Sequence, residues 1–239
     1  MLRIARSRFV QVLAWSLVLS SVAWADVRLP HVIGDNMVLQ REKPIVIWGW
    51  ADAGEKVTVT LKDRKAEATA DAKGAWRVRL EAMPAGGPHE LTVAGRNTIT
   101  VKNVLVGEVW ICSGQSNMAW PVSKAVNGTQ EVAAADIPQI RILSVPQKLA
   151  AEPQPDADIK WSVCSPQTVG SFSAAGFFFG RHLHKELNVP VGLINSSWGG
   201  TAIEPWTPPA GFESVPKLKD IAEDVRKAEG DNWEQLRKH

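Results

Sequence analysis

Two short polar stretches interrupt apolar runs in a way that could support acyl chemistry. The first is Ser113-Gly114-Gln115-Ser116-Asn117 within "GEVWICSGQSNMAW", and the second is Asn195-Ser196-Ser197-Trp198-Gly199-Gly200-Thr201. A serine at the end of a buried strand, ahead of a helix, can direct its hydroxyl and its own N–H toward a reacting centre. Gly114 permits a sharp backbone turn there. Gly199 or Gly200 could offer a second N–H with no β-carbon in the way. The same residues have a plainer use, because serine is among the commonest helix N-caps and a glycine pair is ordinary loop. On the residues alone, cap and nucleophile are equally supported for Ser116. The G-x-S-x-G elbow of the α/β-hydrolases is absent.

The surrounding elements decide whether the two stretches can meet. From Val104 the run "VLVGEVWICS" is too long for a half-exposed strand and suits a buried parallel one. "QEVAAAD" reads as a short helix, "IRILSV" as a strand and "PVGLINSS" as a third buried strand. "SFSAAGFFFGRHLHKEL" reads as a helix with an apolar stripe through Phe172, Ala175, Phe179, Leu183 and Leu187. Ser171 or Ser173 can cap its start, and Asn188 with Pro190 ends it. Strand, helix and strand in this order imply parallel crossovers, hence an α/β sheet with helices on both faces. If the first and third strands are adjacent, Ser116 and the glycine pair share the carboxyl-end rim where open α/β sheets bind ligands.

Ahead of this lies an all-β region. "PIVIWGW", "KVTVTLK", "WRVRLEA" and "HELTVAG" alternate or run apolar, separated by "ADAGE", "DAKGA" and "PAGGP". That grammar predicts an antiparallel β-sandwich. The expected organisation is residues 1–25 as a signal peptide, 26–103 as the sandwich, 104–207 as the α/β domain and 208–239 as a charged helical tail.

"MLRIARSRF" supplies a basic head, a short apolar stretch follows, and Ala23-Trp24-Ala25 makes an A-x-A cleavage site. Cleavage after Ala25 and a secreted or periplasmic location are expected, with no membrane attachment afterwards. Without its three arginines the chain has 24 basic and 25 acidic residues, a net of −1. No basic cluster remains to suggest nucleic acid. Cys112 and Cys164 either bridge, if their α-carbons approach within about 7 Å, or form two buried free thiols. The chain has eleven tryptophans and no tyrosine. Most suit a core, but indole faces also suit apolar sugar faces. His31 and His89 lie near loops with no partners at metal-ligand spacing, and His182 and His184 sit in the last turns of a helix, where a cation favours the dipole; no metal is expected.

"GEVWICSGQSNMAWPV", "FSAAGFFFGRHL" and "VGLINSSWGGTAIEPW" together resemble the sialate O-acetylesterase family, a branch of the SGNH hydrolases. The upstream "LPHVIGDNMVLQREKPIVIWGWA" is similar to the opening of that family's proteins. The resemblance covers most of Leu29 to Thr207. It implies a flavodoxin-like parallel-sheet hydrolase domain and an exported enzyme that removes O-acetyl groups from sugars through an acyl-serine. It implies Ser116 as nucleophile, with Gln115, Asn117 and an oxyanion glycine, Gly199 or Gly200, around the substrate, and no organic cofactor. The family's Gln-Gly-Glu segment and its later Asp-x-x-His do not occur here, and His239 has Leu236 three residues before it. An unaided serine hydroxyl is a weak nucleophile, so weak or no turnover is expected of the chain alone. Acetylxylan esterases share Gly-Gln-Ser-Asn, leaving the sugar open. A non-catalytic glycan-binding role through Trp110, Trp120, Trp198 and Trp206 is the other reading.

Overall fold

A computed structural model of the chain describes residues 26–148, 153–207, 209–221 and 223. The expected signal peptide and most of the charged tail lie outside them.

The alternating segments fold as their periodicity dictates. β2 (Ile45–Trp50) pairs antiparallel with β5 (Ala75–Leu80), and β3 (Lys56–Leu61) joins β4 (Arg64–Thr69) and β6 (Gly86–Ala94) in a second sheet. Every second side chain of β3 and β5 is buried, so Val57, Val59 and Leu61 meet Ile45, Ile47, Trp76, Val78 and Leu80 in one core. This is the expected sandwich, with one of its sheets reduced to two strands.

β7 (Thr98–Gly114) links the sandwich to the α/β part, and it is one continuous strand of 17 residues. Its first half pairs antiparallel with β6, and Leu105 to Gly107 pair parallel with β1 (Val38–Gln40). Its second half, Glu108 to Gly114, pairs parallel with β10 (Val191–Ser197). The strand order onward is β7-β10-β8-β9, where β8 is Ile137–Ser144 and β9 is Ser162–Cys164. Position 103, where the composition changes, is therefore mid-strand. Asn103 sits there at φ 55°, where the β6–β7 register shifts. That is the geometry of a β-bulge, which bends the strand.

α3 (Ala174–Leu187) covers one face of the parallel sheet. Ser173 caps it, its Oγ accepting from Gly176 N at 3.0 Å, and Asn188 ends it in the left-handed conformation. The buried side of α3 is not the expected stripe. Ala174, Gly176, Phe177 and Gly180 face inward, whereas Ala175, Phe179 and Leu187 are exposed. Gly176 and Gly180 are the reason. A Cβ on Gly176 would lie 2.9 Å from Cys112 Sγ, and one on Gly180 would lie 2.6 Å from Leu193 Cδ1. The helix seats itself on its glycines; Phe172 and Leu183 of the expected stripe still pack on the core, while Ala175, Phe179 and Leu187 are turned aside.

The opposite face of the sheet departs from expectation as well. Among the described residues it is met by sandwich residues rather than by a helix: Leu143, Ile194 and Trp161 belong to or pack against the sandwich core. Arg141 locks the two parts together. It is 4% exposed, and its guanidinium donates to the Pro138, Asn36 and Asn103 carbonyls and to both asparagine side chains. Nor is the "VWIC" segment fully buried. Trp110 and Ile111 are 44% and 70% exposed, because beyond Gly107 β7 has β10 alone as a neighbour among the described residues.

Candidate active site

β7 and β10 are adjacent, and their register brings both polar stretches to one rim, with Ser197 opposite Gly114. Trp198 N donates to Gly114 O at 3.0 Å, extending the ladder one step past Ser197. Gly114 has φ +142°, a conformation that β-carbon-bearing residues rarely adopt, and turns the chain into α1 (Ser116–Ala119).

The backbone at α1 bears on the capping use of Ser116. The N-cap of this helix is Gln115, with no side-chain capping bond, and Ser116 is its first helical residue. The Ser116 hydroxyl is exposed and its sole hydrogen bond among the described residues goes to Gln115 Oε1 at 3.3 Å. It is not spent on a backbone N–H, so the capping use is gone and the hydroxyl stays available. Asn117 is exposed beside it.

The two glycines also part company. Gly199 lies against Ser116: a Cβ there would be 3.6 Å from Ser116 Cα and 3.9 Å from its N. Gly200 has φ +79° and open space around it, so it makes the turn rather than the contact. The loop is pinned from several sides. Thr201 Oγ1 donates to Trp198 O at 2.8 Å, and Trp206 Nε1 donates to Thr201 Oγ1 at 2.9 Å. Gln147 Nε2 reaches Ser197 O at 3.3 Å, and Ser197 Oγ donates to Asn195 Oδ1 at 2.7 Å. Gln147 carries no sequence signal, since only the sheet order places it here.

Below the rim, Met118 Sδ accepts from the buried Ser173 Oγ at 3.3 Å, tying α1 to α3. Cys112 and Cys164 are free and buried, so the bridge does not form. Burial pushes both thiols up, that of Cys164 to about 11, and keeps them protonated. Trp110 packs edge-on against Phe179 at 5.1 Å, and Trp120, 51% exposed, carries the Lys124 ammonium over its ring at 5.9 Å. Glu204 Oε2 is buried with no donor among the described residues.

No described histidine or carboxylate bonds Ser116. His31 Nδ1 pairs with Asp156 Oδ2 at 2.6 Å, a partner 125 residues away that spacing does not reveal. His184 Nδ1 is 2.8 Å from Val189 O at the end of α3. His89, on β6, is held below its ordinary range by burial and then by Lys62 and Arg64. Among the described residues no group of three or more His, Cys, Asp or Glu could hold a metal, and no helix is long and apolar enough to cross a membrane.

A family model described as carbohydrate esterase, sialic acid-specific acetylesterase matches residues 106–235. The chain is 38% identical to the sialate O-acetylesterase of Homo sapiens, over 89% of its own length and 46% of that protein's. It is 37% identical to that of Rattus norvegicus, over 81% and 40%. Among solved structures, a carbohydrate acetylesterase from Xanthomonas citri superposes with a TM-score of 0.76 at 40% identity, covering 81% of this chain and 45% of that one. The chain spans about half the length of the relatives it matches.

Proposed function

The chain belongs to the carbohydrate esterase family of sialic acid-specific acetylesterases, and from that premise we propose that it serves in removing O-acetyl groups from sugars, with Ser116 as nucleophile. The observation that carries this reading is the uncommitted Ser116 hydroxyl at the end of β7 with Gly199 against it. Ser116 Oγ bonds to the acetyl carbonyl carbon while its proton passes to a base. The carbonyl oxygen becomes an oxyanion beside the N–H groups of Ser116 and Gly199. Collapse breaks the bond to the sugar oxygen, which takes up a proton. Water then cleaves the acyl-serine, releasing acetate and restoring the hydroxyl. No described residue supplies the base, and without one the step is slow.

The substrate class we propose is O-acetylated sialic acid, with acetylated xylan as the competing sugar. The test is acetate release from O-acetylated sialic acid, O-acetylated xylan and p-nitrophenyl acetate, each beside Ser116→Ala. Slow hydrolysis of the sialic ester that Ser116→Ala removes supports the reading. Equal rates in the two proteins sink serine catalysis, and release from xylan alone reassigns the sugar.

We also propose export, with cleavage after Ala25. N-terminal sequencing of protein recovered outside the cytoplasm should begin at Asp26. Protein found in the cytoplasm with residues 1–25 retained overturns this.

A further inference from the structure

A groove on the β-sandwich lies apart from the Ser116 rim. It is lined by Trp48, Trp50, Thr69, Asp71, Trp76 and Arg77, and encloses about 530 Å³. That is within the roughly 300–1,000 Å³ of small-ligand sites. Its walls come from β2, β5 and the end of β4, none of which carries Ser116 or Gly199.

The lining has a consistent chemistry. Trp48 is 39% exposed, so much of one indole surface is open, and its ladder partner is Arg77. Arg77 makes no hydrogen bond or ion pair among the described residues, which leaves its donors free. Asp71 Oδ1 accepts from Lys73 N at 2.8 Å and Ala75 N at 2.9 Å, which fixes the carboxylate and leaves Oδ2 for another donor. Trp76 is held hard. Its ring lies so close over Gly49 that a Cβ there would come 2.8 Å from Cζ2. It is 3% exposed, and its Nε1–H has no acceptor among the described residues. That N–H faces the sandwich core rather than the groove, since Trp76 alternates with the exposed Ala75 and Arg77 along β5.

An open indole surface beside a fixed carboxylate and a free guanidinium matches the needs of one ligand class. A pyranose offers an apolar C–H face to an indole. Its hydroxyls both donate and accept, so they satisfy Asp71 and Arg77 together. A purely apolar partner would strand those two polar groups without water or replacement bonds. We propose that this groove is a glycan-binding site, separate from the Ser116 rim, in which a pyranose ring stacks on Trp48 and its hydroxyls engage Asp71 and Arg77.

The test is calorimetric and tryptophan-fluorescence titration with two probes, sialyllactose and a xylo-oligosaccharide, which distinguish acidic from neutral glycans. Saturable binding of at least one probe is expected. Trp48→Ala and Arg77→Ala should each weaken it at least tenfold while circular dichroism stays unchanged. Ser116→Ala should leave it unaltered, which separates this site from the esterase reading. Absence of saturable binding by both probes at millimolar concentration overturns the proposal. So does binding that survives both Trp48→Ala and Arg77→Ala, or that Ser116→Ala abolishes.

Discussion

Gly199 faces Ser116, whereas Gly200, one residue on, faces open space: a Cβ at 199 would stand 3.6 Å from Ser116 Cα, and one at 200 would have no neighbour within 4 Å. The two positions therefore differ in kind. Gly199→Ala should lower the Ser116-dependent rate of p-nitrophenyl acetate hydrolysis by roughly tenfold, because its methyl, in van der Waals contact with Ser116, takes space beside the hydroxyl. Gly200→Ala has room for its methyl but holds φ +79°, so it should cost about 1–2 kcal/mol of stability with little change in rate. The rate is that of the chain less that of Ser116→Ala, and stability comes from urea unfolding. Equal effects of the two substitutions on rate would show that Gly199 has no special place.

The helix α3 offers a second contrast, between its glycine seat and its phenylalanine stripe. Replacing a helical glycine by alanine ordinarily gains about 1 kcal/mol. At Gly180 the new methyl would meet Leu193, itself fully buried, at 2.6 Å. Overpacking costs about 1–3 kcal/mol, so the net effect of Gly180→Ala should be a loss. Phe179, 41% exposed, touches Trp110 edge-on, and Phe179→Ala should cost about 1 kcal/mol or less, the scale of one aromatic pair on the surface. Thermal melts of the two variants rank them, and a more stable Gly180→Ala protein would refute the close seat.

These contrasts explain what the sequence could and could not reveal. The sandwich was legible because β3 buries every second residue, so Val57, Val59 and Leu61 announce themselves by period two. The rim was legible because two apolar runs each end in small polar residues. The seat of α3 was not, since a hydropathy stripe counts phenylalanine and overlooks glycine, although glycine permits the closest approach. The role of Ser116 was undecidable in the sequence because cap and nucleophile both want serine before a helix. One backbone fact, the N-cap falling on Gln115, removes the capping use. Arg141 lies within the strand "IRILSV", and its asparagine partners lie 105 and 38 residues away. Only the packing of sandwich on sheet brings them together.

Arg141 should be costly to change. Its guanidinium is buried without a carboxylate, and five carbonyl-type acceptors from Asn36, Asn103 and Pro138 take the place of water. Hydrogen bonds to a charged group are worth about 1.5–3 kcal/mol each, and orphaned acceptors add their own penalty. Arg141→Met keeps most of the length but leaves those acceptors unpaired, and it should destabilise the fold by about 3 kcal/mol or more. Arg141→Lys, with one compact donor group in place of the planar fork, should fall between. Urea midpoints check the order. A Met variant as stable as the parent would mean the clasp contributes nothing.

The buried thiols give the fold a limit on the alkaline side. Burial, aided by Asp136, pushes Cys164 up to about 11, and burial also raises Cys112. In the unfolded chain a thiol ionises near about 8.5. Between these values the folded state holds protons that the unfolded state has released, so stability falls as pH rises. The contribution is fully present below about 8.5 and fades as pH climbs toward about 11. Two measurements follow. Ellman's reagent at pH 8 should find neither thiol in the folded protein and both after guanidinium unfolding. The unfolding midpoint should drop between pH 8.5 and 10.5, and Cys164→Ala should flatten that drop while lowering stability at pH 7. A native protein in which Cys164 reacts promptly at pH 8 would show that the thiol is neither shielded nor held protonated.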